Sequence, residues 1–258
     1  MKEHVQRSDC STILITGAGK RLGLFLTEHY LKSGWRVIAH YNTANDMPEL
    51  DQERWRQKER YIALKADLTL SSDVEVLVAS ISALNLTLDA VIHNASYFVA
   101  DDPLASLQEC WQLQQDMMAV HVMSVEALTM GLKSRYAKNA SIVAITDIYA
   151  DKPNQKFASY CAAKSALQNL CLSYSQRLAP NIRVNIIQPG PIQFLAQHSE
   201  AYREKVLSQS LLKQELGYGA ILQAAEYLQQ AQAVTGSILK VDGGRANANH
   251  YEQSFIVN

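Results

Sequence analysis

Tyr160 and Lys164 lie four residues apart in a stretch, Ala158 to Leu178, that reads as a helix, so phenol and ammonium share one face and can point into one pocket. A free phenol ionises at about pH 10, too high for efficient proton exchange at neutrality, and a fixed positive charge beside it favours the phenolate. The spacing therefore predicts Tyr160 as a usable acid whose pKa Lys164 lowers. Asp147, thirteen residues upstream, closes the buried-type run Ser141 to Thr146 and can add a carboxylate to the pair. A Tyr-x-x-x-Lys pair alone is common on surface helices. Here it follows a strand-end acid in a chain that opens with a nucleotide-type turn.

That turn is Ile13 to Gly23, I-L-I-T-G-A-G-K-R-L-G. The apolar run Ile13 to Ile15 leads through Thr16 and Gly17 into a segment whose Leu22, Phe25, Leu26 and Tyr30 recur at helical spacing. Strand, glycine turn and helix in this order suit a pyrophosphate: glycines admit the backbone close to a phosphate, and the helix start offers unpaired N–H groups and the positive end of a dipole. Arg21 stands where the middle glycine of a three-glycine fingerprint would be. A purely structural strand-to-helix turn is the alternative.

The elements that must position these groups alternate along the chain. Helix one stops at Ser33-Gly34, and Trp35 to Tyr41 reads as a strand ending in His40-Tyr41-Asn42-Thr43, with no acid before Asp46. An acid at that place would bind a ribose 2′-hydroxyl and repel a 2′-phosphate. Its lack, with Lys20 and Arg21 in the turn nearby, favours NADPH over NADH; exposed cations at a helix start are otherwise disfavoured by the dipole. Asn42 to Arg60 reads as a connection broken by Pro48, with one helical turn. Tyr61 to Leu64 is a strand before Asp67-Leu68, Leu70 to Leu84 a helix, and Leu88 to Ile92 a strand ending in His93-Asn94-Ala95-Ser96. Leu104 to Tyr136 reads as one long helix with its apolar stripe in the core or at a subunit contact. Ile182 to Ile187 is a strand entering Gln188-Pro189-Gly190-Pro191, and a polar stretch of about 191–217 is long enough for a lid. Ile221 to Leu228 is a last helix and Ser237 to Val241 a last strand. The alternation predicts a single α/β domain over residues 1–258, a Rossmann-type doubly wound parallel sheet of about seven strands.

Composition narrows the classes. A net charge of −1 gives no reason to expect nucleic acid or an anionic membrane. Met1 to Ser11 lacks the apolar core of a secretion signal, and no apolar run approaches the roughly 18 residues of a membrane span. Cys10, Cys110, Cys161 and Cys171 form no C-x-x-C pair or Cys/His cluster, so plain thiols and no metal site are expected. The expectation is a soluble cytoplasmic protein.

The order T-G-x-x-x-x-x-G, Asp67-Leu68, Asn94-Ala95, Tyr160-x-x-x-Lys164, Pro189-Gly190 and Val241-Asp242-Gly243-Gly244 resembles the short-chain dehydrogenase/reductase family over essentially the whole chain. Arg21 in the glycine turn, Asn94-Ala95-Ser96 followed by the aromatics Tyr97 and Phe98, and Asp147 in the place of the usual serine resemble its pteridine reductase branch. The resemblance implies that Gly17, Lys20, Arg21 and Leu22 bind the pyrophosphate side of NADPH and that Tyr41, Asn42 and Thr43 surround its 2′-phosphate. It also implies that Asp67 and Leu68 border the adenine, and that Asn94, Ala95 and Ser96 line the ribose and phosphates. Lys164 would hold the nicotinamide ribose, with Pro189, Gly190 and Ile192 placing the ring. Ser96, Phe98, Asp147 and Tyr160 would receive a 7,8-dihydropterin such as dihydromonapterin or dihydrofolate, Phe98 stacking on it. Catalysis would fall to Asp147, Tyr160 and Lys164, and the family's usual assembly is a homotetramer. His121 stands where most of the family carries a helix asparagine, and either a relay role or a buried structural histidine fits. Two rival readings remain: a carbonyl or 3-oxoacyl-type reductase, which Asp147 disfavours, and a non-catalytic NADPH sensor, expected to lack the tyrosine or the lysine.

Overall fold

The computed structural model describes residues 10–248; the N-terminal reading therefore rests on sequence alone up to residue 9, and the end of the tail Arg245 to Asn258 lies outside the described residues. Seven parallel strands form one sheet: β1 (Thr12–Ile15), β2 (Arg36–Tyr41), β3 (Tyr61–Lys65), β4 (Leu88–His93), β5 (Tyr136–Ile145), β6 (Ile182–Pro189) and β7 (Ile238–Val241). Their order is β3-β2-β1-β4-β5-β6-β7, which reverses direction between β1 and β4. In such a sheet the crevice for ligands opens at the carboxyl ends of those two strands.

The near-continuous apolar runs reflect burial on both faces. In β1, Leu14 packs to one side and Ile13 and Ile15 to the other; in β5, Ile142 and Ala144 oppose Val143 and Ile145. One layer holds α3 (Ser71–Ala83), α4 (Leu107–Met118), α5 (Ser124–Gly131) and α6 (Ala158–Arg177), and the other α1 (Arg21–Lys32) and α8 (Gly217–Gln230).

Three segments depart from the sequence reading. The connection after β2 contains a nine-residue helix, α2 (Glu49–Gln57), with Pro48 at its start and not as a breaker. None of its residues is fully buried and only Trp55 packs against the core, so it has no apolar stripe; Glu49 and Asp51 at its start, Arg54 and Arg56 at its end, and side-chain pairs such as Arg56–Gln52 support it as well. The long helix begins at Leu107, passes through a π turn at Ala119–Met123 and stops at Gly131. Tyr136 already belongs to β5, where Asn139 takes a left-handed φ of 69° beside a register shift against β4. The polar stretch after β6 holds a further helix, α7 (Glu200–Leu207), capped by the Ser199 hydroxyl accepting from the Tyr202 N–H.

Candidate active site

Asp147 lies two residues beyond the end of β5 at Ile145, and Tyr160 and Lys164 come from the first turns of α6. The structure brings all three together. The Tyr160 hydroxyl donates to Asp147 Oδ2 over 3.1 Å, and the Lys164 ammonium lies 5.5 Å from the centre of the Tyr160 ring. Asp147 Oδ1 accepts from the Tyr149 N–H at 2.8 Å, so the carboxylate also caps the turn that follows it. Lys164 Nζ is buried and donates to the Ile145 carbonyl at 3.0 Å, which leaves two of its three N–H groups for other acceptors.

The electrostatics correct one expectation. Tyr160 is not lowered: burial and the adjacent Asp147 carboxylate push its phenol well above the ordinary value, with the Ser96 hydroxyl pulling the other way. Lys164 is directed at a backbone carbonyl and is itself lowered to about 8 by burial, held up in part by Asp147. Asp147 is raised by burial, against the pull of the Tyr149 N–H, Lys164, Tyr160 and Arg245. The two groups that move toward neutrality are therefore Asp147 and Lys164, while the phenol stays protonated.

Ser96 and Phe98, just beyond β4, face this group. His121, in the π turn, donates from Nδ1 to the Met117 carbonyl at 2.9 Å, since that oxygen can only accept. Its Nε2 then accepts from the Ser96 hydroxyl at 3.1 Å and the Tyr97 N–H at 3.3 Å. Burial, with Lys164 nearby, drives His121 down to about 2, so it stays neutral and fixes the Ser96–Phe98 segment. Asp101 secures the same loop by accepting from the Ala158 and Ser159 N–H groups at the start of α6, an end that its own residue Phe157 leaves uncapped. Phe98 consequently stands edge-on to Tyr160 at 4.7 Å and stacks on Phe157 at 4.4 Å. Sequence reasoning missed Asp101 and Phe157. The latter precedes Tyr160 by three residues and is the residue that leads into α6.

On the other side of the crevice, the glycine turn is shaped by contacts that admit no side chain. A Cβ on Gly17, whose φ is +65°, would lie 2.8 Å from Ala95 Cα, and one on Gly23 would meet the Gly17 carbonyl. Asn94 spends its amide on the Thr16 and Gly17 carbonyls, and the Asn94 and Ala95 N–H groups donate to the Thr16 hydroxyl. Asn94 thus braces the turn. His40, which sequence reasoning passed over, accepts from the Gly17 N–H and bonds the Ala66 carbonyl, joining the ends of β1, β2 and β3. Helix α1 starts with no capping side chain and no acid in its first turn. Lys20 and Arg21 are exposed there, and neither forms an ion pair among the described residues. Leu22 is buried in the core, so it offers its backbone to this opening.

The remaining residues fall at neighbouring strand ends. Tyr41 abuts Gly19, Thr43 is exposed, and Asn42 is close enough to hydrogen-bond Asp67, a carboxylate that the Thr69 N–H and hydroxyl also hold low. Leu68 turns its side chain into the core. Pro189 ends β6, Gly190 passes so close to the turn after β7 that a Cβ would lie 2.9 Å from Asp242 Cα, and the Ile192 carbonyl accepts from Gly217 at the start of α8. Among the described residues no three His, Cys, Asp or Glu side chains lie together as metal ligands, and no helix is long and apolar enough to cross a membrane.

A parallel sheet with a glycine turn at its reversal point and a Tyr-x-x-x-Lys pair beside it defines a reductase of the short-chain type. The chain belongs to the short-chain dehydrogenase/reductase family: the family model described as Enoyl-(Acyl carrier protein) reductase matches residues 17–246. It is 34% identical over 237 residues to dihydromonapterin reductase of Klebsiella pneumoniae, covering 90% of this chain and 95% of that protein. Dihydromonapterin reductase of Enterobacter sp. strain 638 is 32% identical over the same span. The crystal structure of FolM alternative dihydrofolate reductase 1 from Brucella canis, complexed with NADP, superimposes with a TM-score of 0.83 at 26% identity, over 98% of this chain and 100% of that one. The Brucella suis protein, also with NADP, gives 0.80 at 27% identity, over 94% and 98% of the two chains.

Proposed function

We propose that this protein is an NADPH-dependent pteridine reductase that converts 7,8-dihydropterins, dihydromonapterin and dihydrofolate among them, to the tetrahydro forms. The observation that carries this reading is the Asp147–Tyr160 hydrogen bond beneath the Phe98 ring. A carboxyl both donates and accepts, which suits the ring nitrogens and amino group of a pterin better than a ketone oxygen. The substrates of the dihydromonapterin reductases and of the Brucella proteins support it.

The residues present fit NADPH. The uncapped start of α1 with Lys20 and Arg21 suits its phosphates, Tyr41, Asn42 and Thr43 border the 2′-phosphate, and the two unspent N–H groups of Lys164 suit the nicotinamide ribose. Asp67, Leu68, Ala95, Ser96, Pro189, Gly190 and Ile192 frame the rest, Leu22 contributing backbone and Asn94 and Gly17 the floor. When bound, NADPH supplies the hydride to C6 of the dihydropterin.

The proton for N5 comes from the chain itself. Because the phenol is pushed up, a free phenolate is disfavoured; once Asp147 is protonated its bond to Tyr160 reverses, Oδ2 donating to the phenol oxygen, and Tyr160 gives its own hydroxyl proton to N5 as Asp147 replaces it. Asp147, raised toward neutrality, is the proton source, and such general acid catalysis contributes about 10²–10⁴-fold. Phe98, backed by Phe157, presents a flat aromatic face to the pterin. Residues 191–217 act as the lid.

The homotetramer is proposed on unpartnered apolar surface: Leu107 and Trp111 on α4 are 85% and 67% exposed, and Met123 in the π turn 59%. A cytoplasmic location fits the buried thiols of Cys161 and Cys171, which form no disulfide. NADPH oxidation assayed with dihydromonapterin, dihydrofolate and an acetoacetyl thioester tests the function. Turnover on the pterins is expected; turnover confined to the thioester would make the protein a carbonyl reductase, and tight NADPH binding with no turnover a sensor.

A further inference from the structure

The short turn after β7 joins two parts of the molecule that the reaction must coordinate. Asp242 shapes it by accepting from the Gly244 and Ala246 N–H groups at 2.9 and 2.7 Å. Toward the lid, the Leu212 N–H donates to the Gly243 carbonyl, and Gly244, at φ +79°, lies so close to Leu211 that a Cβ would come within 2.7 Å of it. Arg245 completes this side with both ends of its fork: Nη1 donates to the Val206 carbonyl at the end of α7 over 2.8 Å, and Nη2 to Gln209 Oε1 over 2.5 Å. Toward the site, Lys152 donates to the Ala246 carbonyl, and Lys240 of β7 pairs with Asp151 at 2.9 Å, both partners lying in the loop that follows Asp147.

We propose that Arg245 is a positioning residue that ties the seating of the lid to the reacting carboxyl of Asp147, holding the lid with its fork and acting on the carboxyl with its charge. The proposal rests on the reading of Asp147 as the proton source. The guanidinium touches no assigned cofactor or substrate group, and its hydrogen bonds go to lid residues only. The turn it anchors is bonded through the Ala246 carbonyl to Lys152 in the loop that follows Asp147, and its charge is the smallest of the influences that hold that carboxyl down against burial. The other groups facing that carboxyl are the Tyr149 N–H from its own turn and Tyr160, Cys161 and Lys164 from α6. Of these groups Arg245 is the one whose side chain is hydrogen-bonded to the lid. A seated lid then holds Asp147 lower, and a lifted lid lets it rise and take up a proton.

Two variants separate charge from fork. Arg245→Met removes both; Arg245→Lys keeps the charge but cannot span Val206 and Gln209 as a planar fork does. The protonated carboxyl is the donor, so the rate falls as pH rises through the Asp147 pKa, and losing a nearby positive charge moves that falling limb upward. In Arg245→Met the limb of the kcat profile is expected to shift up by about half a pH unit, with KM for dihydromonapterin raised about threefold or more. In Arg245→Lys the limb stays near the wild-type position while KM still rises. Carboxyl ¹³C NMR of the ligand-free protein, with Asp147→Asn identifying the signal, reads the same shift without turnover. A limb and an Asp147 signal unmoved in Arg245→Met, an equal shift in both variants, or a KM unchanged in both would overturn the proposal. A wild-type protein inactive on dihydropterins would instead sink the functional reading, and the carboxyl titration would still decide the role of Arg245.

Discussion

Lys164→Met should make the protein more stable at neutral pH while abolishing catalysis. The ammonium is 1% exposed, and its single protein hydrogen bond goes to the Ile145 carbonyl. Burial lowers it from 10.5 to about 8, which at about 1.4 kcal/mol per unit means that the charged form weighs on the folded state by about 3 kcal/mol at pH 7. Methionine has similar length and no charge, but leaves the Ile145 carbonyl without its donor, a loss of about 1–3 kcal/mol. The variant should therefore gain about 1 kcal/mol at pH 7. The sign depends on pH. Because the folded-state value lies below the unfolded one, the wild-type lysine becomes progressively less unfavourable as pH rises from about 8 to about 10.5. Above that window only the lost hydrogen bond remains, and the variant becomes the less stable of the two. Urea unfolding of both proteins, without cofactor and at equal protein concentration, at pH 7 and at about pH 9.5 would show the gap closing or changing sign. A stability difference that is the same at both pH values would refute the claim that this ammonium is held against a burial penalty.

Other perturbations separate the remaining parts of the site. Arg21 adopts a left-handed φ of 49°, so Arg21→Gly should leave the unfolding midpoint unchanged or raised while increasing KM for NADPH about tenfold and leaving that for NADH alone; parallel changes in both would undo the 2′-phosphate assignment. Phe98→Ala should raise KM for dihydromonapterin about fivefold to tenfold with NADPH binding intact, and an unchanged KM would show that the ring does not stack on substrate. His121→Ala removes the acceptor that holds Ser96 and Tyr97 and the donor to Met117, and should destabilise by about 2–3 kcal/mol in urea unfolding, whereas a loss of activity at full stability would restore a relay role.

The strands were legible because burial on both faces gives runs such as Ile13 to Ile15 and Ser141 to Thr146, and the helices because their apolar residues recur at helical spacing. Helix α2 was hidden for the converse reason: it packs on the core through Trp55 alone, so only its charge order marks it. The passage from α5 into β5 was hidden because Tyr136 to Asn139 is an exposed or half-buried edge that keeps neither period. Asp147, Tyr160 and Lys164 converge as their spacing and strand-end position implied. The pKa of Tyr160 did not follow from that list, since its sign turns on which way the ammonium points and how far the phenol is buried. Asp101 and Phe157 escaped because their roles lie in a loop-to-helix contact between distant parts of the chain.

The most direct test follows the label from NADPH deuterated at C4. With 7,8-dihydromonapterin the account predicts a tetrahydropterin carrying deuterium at C6, formed by the wild-type protein and at least a hundredfold more slowly by Asp147→Asn. Deuterium absent from the pterin but present at the former carbonyl carbon of an acetoacetyl thioester would contradict it.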